Sequence, residues 1–336
     1  MKINKTDLQT ALETVRPGLA NKEIIEQSTH FAFLGNKVVT YDDEISITHP
    51  VEGLDLKGAV RAQELYEFVK RAQKDEIEVE QKENELLLKS GHSKAGLAFQ
   101  SEVMLPLEEI SQTKDWKDLP EEFCDTLMFV KDSASRDMSR RILTCAHITD
   151  TFVEASDSFQ IMRVYDDSWP FTKDCLLPAE NIPEINKVKP NQVTVSDGWL
   201  HFRNAEGTEL SCRIIADQFP DTSDHFAVEG NKVKFPKSMD GILERVMVFT
   251  KKDHYMDEEM EVSLKDDKIT VYGKNEYGWF KERAKVKYEG EEGKFWITPS
   301  LLQNILSRSN ECLLGEEKIK FEGSEGDWEY VAVLKN

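Results

Sequence analysis

Residues 56–89 read LKGAVRAQELYEFVKRAQKDEIEVEQKENELLLK. Apolar side chains recur in this stretch at the i, i+3, i+4 and i+7 spacing of a helix with one buried face, at Leu65, Phe68, Val69 and Ala72. A strand ends near Val60 before this helix, and alternating residues predict two more strands at 76–80 and 85–89. The stretch therefore predicts a unit made of a strand, a helix and a strand pair.

The same unit recurs twice further along the chain, at 175–203 and at 295–322. In the last copy, Thr298 is expected to cap the helix and Pro299 to occupy its first position. Recurrence of one supersecondary unit is typical of chains built from repeated domains.

The three copies are evenly spaced. The equivalent residues Val60, Leu177 and Ile297 lie 117 and 120 residues apart. A chain of 336 residues is also longer than the roughly 250–300 residues at which single cores stop growing. We therefore predict three similar domains, at 1–115, 116–224 and 225–336.

A companion unit of one helix and an antiparallel meander precedes each copy. In the first domain, Thr6 is expected as the helix N-cap, and strands follow near 30–34, 37–41 and 44–49. In the second domain, the first strand of the meander is predicted at 142–148. Each domain is thus predicted to pack two helices on two small antiparallel sheets, which is an α+β fold.

The composition indicates a soluble cytoplasmic protein. The chain has 43 basic and 63 acidic residues, a formal charge of −20, and a mean hydropathy of −0.52. Its longest apolar stretches, such as 246–249, are far shorter than the roughly 20 residues that a membrane helix needs. The five scattered cysteines show no CxxC spacing, and the first residues lack the apolar segment of a signal peptide.

Basic and acidic residues are partly segregated along the chain. Lysines and arginines gather around the predicted helices, whereas acids gather in strands and turns such as 76–80, 257–259 and 289–292. The alternating glutamates of 76–80 are more typical of a solvent-facing strand than of a metal or catalytic site.

Three local motifs add to the repeat. They are Gln218-Phe219-Pro220-Asp221, the closing strand at 328–334, and the strand-to-helix step at 59–69. In their order and spacing they resemble the bacterial β sliding clamp, the β subunit family of DNA polymerase III. The resemblance covers essentially the whole chain and implies three tandem DNA-clamp domains, with two subunits closing head to tail into a ring whose hole is lined by helices.

The resemblance also implies a function and partners. A clamp is a noncatalytic processivity factor without a cofactor or a metal, and it would bind duplex DNA, the replicative DNA polymerase, the clamp loader and a second copy of itself. A sliding ring must hold phosphates without reading bases, since base-specific hydrogen bonds would stop it moving. Acids on the outer sheet would discourage nonspecific binding there, so the net charge is compatible with a basic hole.

The candidate DNA-binding residues follow from family positions and from helix ends. Family positions imply Lys22 and the group Arg136, Arg140 and Arg141. Helix ends add Arg71, Lys74, Lys187, Lys189, Lys251 and Lys252.

The family binds short peptides of its partners in an apolar cleft between domains two and three. Mapped here, the candidate cleft residues are Phe159, Ile161, Pro220, His225, Thr298, Leu301, Val331, Val333 and Leu334. This chain departs from the family there, since Thr-Asp-Gly-His-Arg-Leu is replaced by Ser-Asp-Ser-Phe-Gln-Ile at 156–161, and Pro-Met-Arg-Leu by Val-Leu-Lys-Asn at 333–336. The preferred peptide therefore cannot be carried over. The divergence would suit a clamp encoded by a phage.

Two other classes of protein stay open at this point. One is an acidic monomeric interaction protein, such as a DNA mimic, without a ring. The other is an enzyme on a repeated α+β scaffold, which would need carboxylates converging in one deep pocket. The sequence contains no GxSxG, P-loop, GxGxxG, HExxH or EF-hand motif.

Overall fold

The computed structural model describes residues 1–110, 115–253 and 257–335. The α-helices in these ranges are α1 (Lys5–Val15), α2 (Ala62–Arg71), α3 (Phe123–Val130), α4 (Ile182–Val188), α5 (Met239–Thr250) and α6 (Pro299–Leu306). The first strands are β1 (Lys2–Asn4), β2 (His30–Gly35), β3 (Lys37–Tyr41), β4 (Ile45–Pro50), β5 (Leu56–Arg61), β6 (Glu76–Gln81), β7 (Glu85–Ser90), β8 (Ser93–Gln100) and β9 (Lys117–Asp118). The next are β10 (Cys145–Ile148), β11 (Phe152–Ser156), β12 (Gln160–Tyr165), β13 (Cys175–Pro178), β14 (Gln192–Ser196), β15 (Trp199–Arg203) and β16 (Glu209–Arg213). The last are β17 (Asn231–Lys234), β18 (Met260–Lys265), β19 (Lys268–Asn275), β20 (Gly278–Lys285), β21 (Lys287–Tyr288), β22 (Gly293–Ile297), β23 (Glu311–Leu314), β24 (Lys318–Glu322) and β25 (Trp328–Val333).

Two compact units divide these elements. Unit 1 comprises Met1–Met128 and Glu180–Ala216, and unit 2 comprises Phe129–Ala179 and Asp217–Asn336. Each unit takes one part of the predicted second domain, and the three domain boundaries stay a prediction.

Unit 1 contains one 12-stranded sheet, in the order β1-β6-β7-β8-β5-β2-β3-β4-β16-β15-β14-β9. Two neighbouring strands of this sheet, β4 and β16, come from the first and second predicted domains. They pair antiparallel, with Ile47 opposite Leu210 and Ile45 opposite Cys212. This pairing makes one sheet out of strands that are far apart in the sequence.

Unit 2 contains a nine-stranded sheet, β13-β10-β11-β12-β25-β24-β23-β17-β21, and a four-stranded sheet, β20-β19-β18-β22. In the nine-stranded sheet, β12 pairs with β25, so that Ile161 lies opposite Val331. Strands of the second and third predicted domains are joined in this way.

Helices bury one face against these sheets, as the periodicity predicts. In α1 the buried residues are Leu8, Ala11, Leu12 and Val15. In α2, Leu65 and Val69 are buried as predicted, but Tyr66 joins them while Phe68 and Ala72 are only half-buried. The Tyr66 ring is also in contact with the cations of Arg16 and Lys70, at 4.9 and 5.4 Å from its centroid.

In unit 2, α5 packs on β19 and β20 of the four-stranded sheet. Gly273 of β19 allows this approach, since a Cβ there would lie 2.6 Å from side-chain carbons of both Val246 and Thr250 in the helix. A larger residue at 273 would force the helix away from the sheet.

The predicted strands of the first meander are confirmed as β2, β3 and β4. The strand predicted at 142–148 was partly wrong, because only Cys145–Ile148 is extended and Met138–Thr144 forms 3-10 turns. The Asp137 side chain accepts a hydrogen bond from the Ser139 amide, at 2.9 Å, and so caps the first of these turns.

The predicted cap of the first helix was wrong by two residues. The N-cap of α1 is Asn4, whose Oδ1 accepts from the amides of Thr6 and Asp7 at 2.8 and 3.3 Å. Thr6 lies inside the helix because β1 pairs with β6 up to Asn4, and the helix starts directly after this pairing. Thr298 and Pro299 occupy the N-cap and first positions of α6 as predicted, but the Thr298 side chain makes no capping hydrogen bond there.

We expect Asn4→Ala to destabilise unit 1 by about 1 kcal/mol, because two amides of the first helical turn lose their acceptor. Urea unfolding followed by circular dichroism measures this change. Thr6→Ala is the matched control, and we expect it to shift the midpoint much less. Equal losses in both variants would show that Asn4 is not the functional cap.

Candidate functional site

An apolar cluster in unit 2 contains two of the candidate cleft residues, Ile161 and Val331. Ile161, Phe226 and Val331 form this cluster, each with 6% of its surface exposed or less, and Val228 packs against it half-buried. Ile161 and Val331 are neighbours because they are directly paired residues of β12 and β25.

A tight turn between β11 and β12 presents an aromatic side chain beside this cluster. Asp157 Oδ1 accepts from the amides of Phe159 and Gln160, at 2.8 and 2.9 Å. Ser158 completes the turn with a φ of 77°. Phe159 remains 37% exposed, while its carbonyl accepts from the Val333 amide at 2.9 Å. The turn and the chain end are thereby held together.

A buried tyrosine links the same turn to α6. The Tyr330 hydroxyl lies 2.7 Å from Gln160 Oε1 and 2.8 Å from the Leu301 carbonyl oxygen. Burial raises the pKa of Tyr330 well above its usual value, so the hydroxyl stays protonated and available as a donor.

A buried ion pair anchors the loop that carries the Phe-Pro-Asp motif. The Arg163 guanidinium donates to Glu154 Oε2 through Nε at 3.1 Å and through a terminal nitrogen at 2.9 Å. The same terminal nitrogen donates to Thr222 Oγ1 at 2.7 Å, and that hydroxyl donates to Glu154 Oε2 at 2.7 Å. Thr222 therefore fixes the loop to β11 and β12.

Aromatic rings complete the surroundings of this pair. The Arg163 guanidinium lies 4.2 Å from the ring centroid of Phe152 and 4.6 Å from that of Phe226. His147 lies 2.9 Å from Glu154 Oε1, and its ring stacks on Phe219 at 4.9 Å. Phe226 thus connects the ion pair to the apolar cluster.

The environment of Glu154 keeps it ionised. Burial alone raises the pKa of Glu154, but hydrogen bonds from His147 and Thr222 and the charge of Arg163 outweigh burial and hold the pKa below its usual value. A charged carboxylate therefore faces the guanidinium at neutral pH.

The candidate cleft residues divide by exposure. Phe159, Pro220 and His225 are exposed, and Val333 is half-buried. The buried members are Ile161, Thr298, Leu301, Val331 and Leu334. Among the nine, it is mainly the exposed and half-buried residues that present surface to a ligand. The binding role of all nine residues stays a prediction.

Glu154, Arg163 and Phe226 were not predicted from the sequence. Glu154 and Arg163 occupy paired positions of β11 and β12 that are buried among apolar neighbours. Opposite charges in two adjacent strands of an apolar sheet were the available signal, since buried charges are nearly always paired.

The candidate DNA-binding residues are all exposed. Most lie where helices end or just beyond, where the helix dipole favours cations. Arg71 and Lys187 are in the last turns of α2 and α4, and Lys189 and Lys251 are the C-cap residues of α4 and α5. Lys22, Lys74, Lys252 and the group Arg136, Arg140 and Arg141 lie in the segments that follow helices.

Some of these cations already have partners. Arg71 pairs with Glu67 at 2.8 Å, and Lys187 pairs with Glu184 at 2.8 Å. Arg140 donates to Ser158 Oγ at 3.1 Å, which places it beside the turn that carries Phe159. The helix faces themselves carry exposed acids as well, namely Asp7, Glu13, Glu64, Asp125, Asp240 and Glu244. The positive charge is concentrated at helix ends rather than along helix faces.

Other kinds of site find little support in the described ranges. A cavity of 1020 Å³ in unit 2 is lined by lysines and acids together, among them Lys237, Asp240 and Glu311. Within the residues that the structure describes, no group of three or more His, Cys, Asp or Glu is arranged to hold a metal ion. In the same ranges, no helix combines the length and apolar character required to cross a bilayer.

Solved bacterial structures are similar to this chain over its full length. DNA polymerase III subunit β from Pseudomonas aeruginosa has a TM-score of 0.84 at 15% identity, covering 100% of this chain and 99% of that one. The DNA polymerase sliding clamp from Bacillus subtilis has a TM-score of 0.85 at 16% identity, covering 100% and 98%. The DNA polymerase III β chain from Streptococcus pneumoniae TIGR4 has a TM-score of 0.87 at 16% identity, covering 100% and 99%. No family model matches the sequence, and no curated protein matches it either.

The chain therefore has an α+β sliding-clamp fold. More particularly, its fold is that of the bacterial DNA polymerase III β subunits, which confirms at the level of the fold the resemblance found in the sequence.

We expect Glu154→Gln to lower the stability of unit 2 by about 3–5 kcal/mol at neutral pH, because the buried Arg163 charge loses its counter-ion. Since the folded-state pKa of Glu154 is lowered, its carboxylate stabilises the fold above the unfolded-state pKa of about 4.3. This contribution is lost as the pH falls through the folded-state pKa. Thermal unfolding between neutral and acidic pH should show the difference between the two proteins shrinking below about pH 4.

Glu325→Gln, at an exposed carboxylate, is the control and should leave the unfolding temperature unchanged. A difference between Glu154→Gln and the unsubstituted protein that stays constant at every pH would contradict the assignment.

Proposed function

We propose that this protein is a DNA polymerase processivity factor, a noncatalytic sliding clamp of which two copies encircle duplex DNA. A ring that holds a polymerase at its template raises the effective concentration of the enzyme there, and each rebinding becomes an intramolecular event. The proposal includes a clamp loader as a partner and requires no cofactor.

One observation carries this proposal. Similarity to the solved sliding clamps covers 100% of this chain and 98–99% of each of the three chains described above, with TM-scores of 0.84 to 0.87. A shared small domain would leave much of one chain unmatched. Fold alone does not determine function, so the charges, the strand edges and the cleft supply the further arguments.

The exposed cations fit a phosphate-binding role. All ten candidates lie at helix ends or in the segments that follow helices, and all ten are exposed. Contacts of this kind bind the backbone of any sequence and let a protein slide. Arg136, Arg140 and Arg141 form the densest group among them.

The apolar cluster of unit 2 fits a partner-peptide cleft. Ile161, Phe226 and Val331 provide a firm floor, and exposed Phe159 and Pro220 offer apolar contacts beside it. Peptides bind such grooves by inserting apolar anchors into preformed pockets. The Ser-Asp-Ser-Phe-Gln-Ile turn places Phe159 where the family has histidine, which favours an aromatic or aliphatic anchor in the peptide.

Two open strand edges support a ring of two copies. β20 ends the four-stranded sheet and pairs only with β19 among the described strands. β8 pairs with β7 along Ser93–Ala98, whereas its other edge pairs with β5 only at Phe99 and Gln100. The second edge of Ser93–Ala98 is therefore open among the described strands. Unpaired edges readily add another strand, and joining two different edges gives a heterologous contact that closes a ring when the rotation permits.

We expect the protein to have a solution mass of twice 38.6 kDa, measured by light scattering after size exclusion. Loaded onto nicked circular duplex with a clamp loader, it should stay bound, and linearising the DNA should release it because a ring slides off free ends. A particle of one subunit that binds no DNA would favour the acidic monomeric interaction protein. Equal retention on circular and linear DNA would rule out encirclement.

We expect the double variant Arg140→Glu with Arg141→Glu to weaken duplex binding and to flatten its salt dependence. Each lost phosphate contact lowers the log–log slope by about 0.9, which fluorescence anisotropy at several salt concentrations measures. Arg140→Lys with Arg141→Lys should retain most of the slope. The control is Lys57→Glu with Lys82→Glu, which makes the same change in net charge at two exposed cations outside the candidate group. An equal loss in this control would assign the effect to net charge alone.

A further inference from the structure

In the part of the chain that the structure describes, α5 packs on one face of the four-stranded sheet of unit 2, and no helix packs on the other. Alternate residues such as Val262, Leu264, Ile269 and Val271 are buried on the side of α5. The residues between them point the other way, because side chains alternate across a strand.

The strand register aligns this outer face in rows. Trp296, Glu261, Tyr272 and Lys281 are paired neighbours across β22, β18, β19 and β20. Lys294, Ser263, Thr270 and Arg283 form the next row. Lys265, Lys268 and Lys285 form a third row, and Lys274 pairs with Trp279 at the other end. We call these residues the outer face.

The outer face is strongly cationic, although the whole chain carries a net charge of −20. Its basic residues are Lys265, Lys268, Lys274, Lys281, Arg283, Lys285 and Lys294. Glu261 is the acid of the outer face itself and binds Lys294 at 2.7 Å. Exposed acids border the face, among them Glu292 and the turn residues Asp266, Asp267 and Glu276. Glu292 binds Lys265 at 2.8 Å.

Five cations remain without such a partner. Within the described part of the chain, the side chains of Lys268, Lys274, Lys281, Arg283 and Lys285 form no ion pair or hydrogen bond. Those on β20 stand at every second residue, about 7 Å apart along the strand. Like charges so close repel each other, so an anionic ligand would relieve their repulsion.

Aromatic rings lie between these cations. Trp279 is 65% exposed, and its ring centroid is 6.4 Å from that of Tyr272. Trp296 carries the Lys294 ammonium 4.7 Å from its ring centroid. A shallow groove of 540 Å³ lined by Lys268, Lys281 and Arg283, among others, crosses the same face.

We propose that the outer face binds single-stranded nucleic acid without sequence preference. Lys268, Lys281, Arg283 and Lys285 contact phosphates, and Trp279 and Tyr272 offer faces on which bases stack. Cationic grooves combined with exposed aromatic rings are the usual means of binding single strands. This function goes beyond the proposed clamp activity, since it requires neither a closed ring nor a loader.

The observations favour a single strand over other anions. In a duplex the bases are stacked on each other, so the exposed Trp279 would gain nothing, and a flat sheet face does not enter a groove. An acidic peptide would satisfy the cations but would leave the two rings without a stacking partner.

The test uses the full chain and a fluorescein-labelled oligodeoxythymidine of about 20 nucleotides, which covers one such face. Fluorescence anisotropy gives the affinity at several salt concentrations. Lys281→Glu with Arg283→Glu should weaken binding about tenfold or more and lower the log–log salt slope by about 1.4, the loss of two single-strand contacts. Trp279→Ala should weaken binding about fivefold or more and leave the slope unchanged, because stacking releases no counterions.

Lys57→Glu with Lys82→Glu is again the matched control and should bind the oligonucleotide as the unsubstituted protein does. Arg140→Glu with Arg141→Glu should also keep this affinity, which separates the outer face from the candidate duplex contacts. The proposal is overturned if the oligonucleotide is not bound, if Trp279→Ala has no effect, or if polyglutamate or duplex of equal charge competes as well as unlabelled oligodeoxythymidine.

Discussion

Strand pairing between segments that are far apart in the sequence is the interaction on which this structure depends. The β4–β16 ladder joins the first and second thirds of the chain, and the β12–β25 ladder joins the second and third. Each ladder satisfies backbone groups that would otherwise be open at a sheet edge. Both sheets thereby become large enough to cover several short helices, none of which is long enough to be stable alone.

The second ladder also determines the candidate cleft. By pairing Ile161 with Val331 it puts apolar side chains from two thirds of the chain next to each other. The loop containing Thr222 is tied to the same sheet by its hydrogen bonds to Arg163 and Glu154. A buried pair of this kind contributes little net stability but is costly to break, so it fixes one geometry for the loop rather than strengthening the core.

Much of the fold followed from local patterns. The helix spacing at 65–72, the strand alternation and the evenly spaced copies depend on neighbours in the sequence, and they gave the right elements. The errors arose where residues far apart in the sequence determine the local structure. Asn4 rather than Thr6 caps α1 because β1 pairs with β6. Arg163 can be buried because Glu154 lies opposite it on the neighbouring strand. The cationic outer face was missed for the same reason. Its residues come from four strands, and acids had been expected on the strands, as the glutamates of β6 illustrate.

The two ladders have a consequence for the modularity of the chain. The middle third gives β16 to one sheet and β12 to another. Excising it as a separate fragment would leave β16 and β12 without their partners β4 and β25, and would leave β4 and β25 unpaired on that side as well. Exposed edges of this length promote aggregation. Shuffling of single thirds between related proteins would therefore need matched edge strands at the junctions, whereas exchange of complete chains would not.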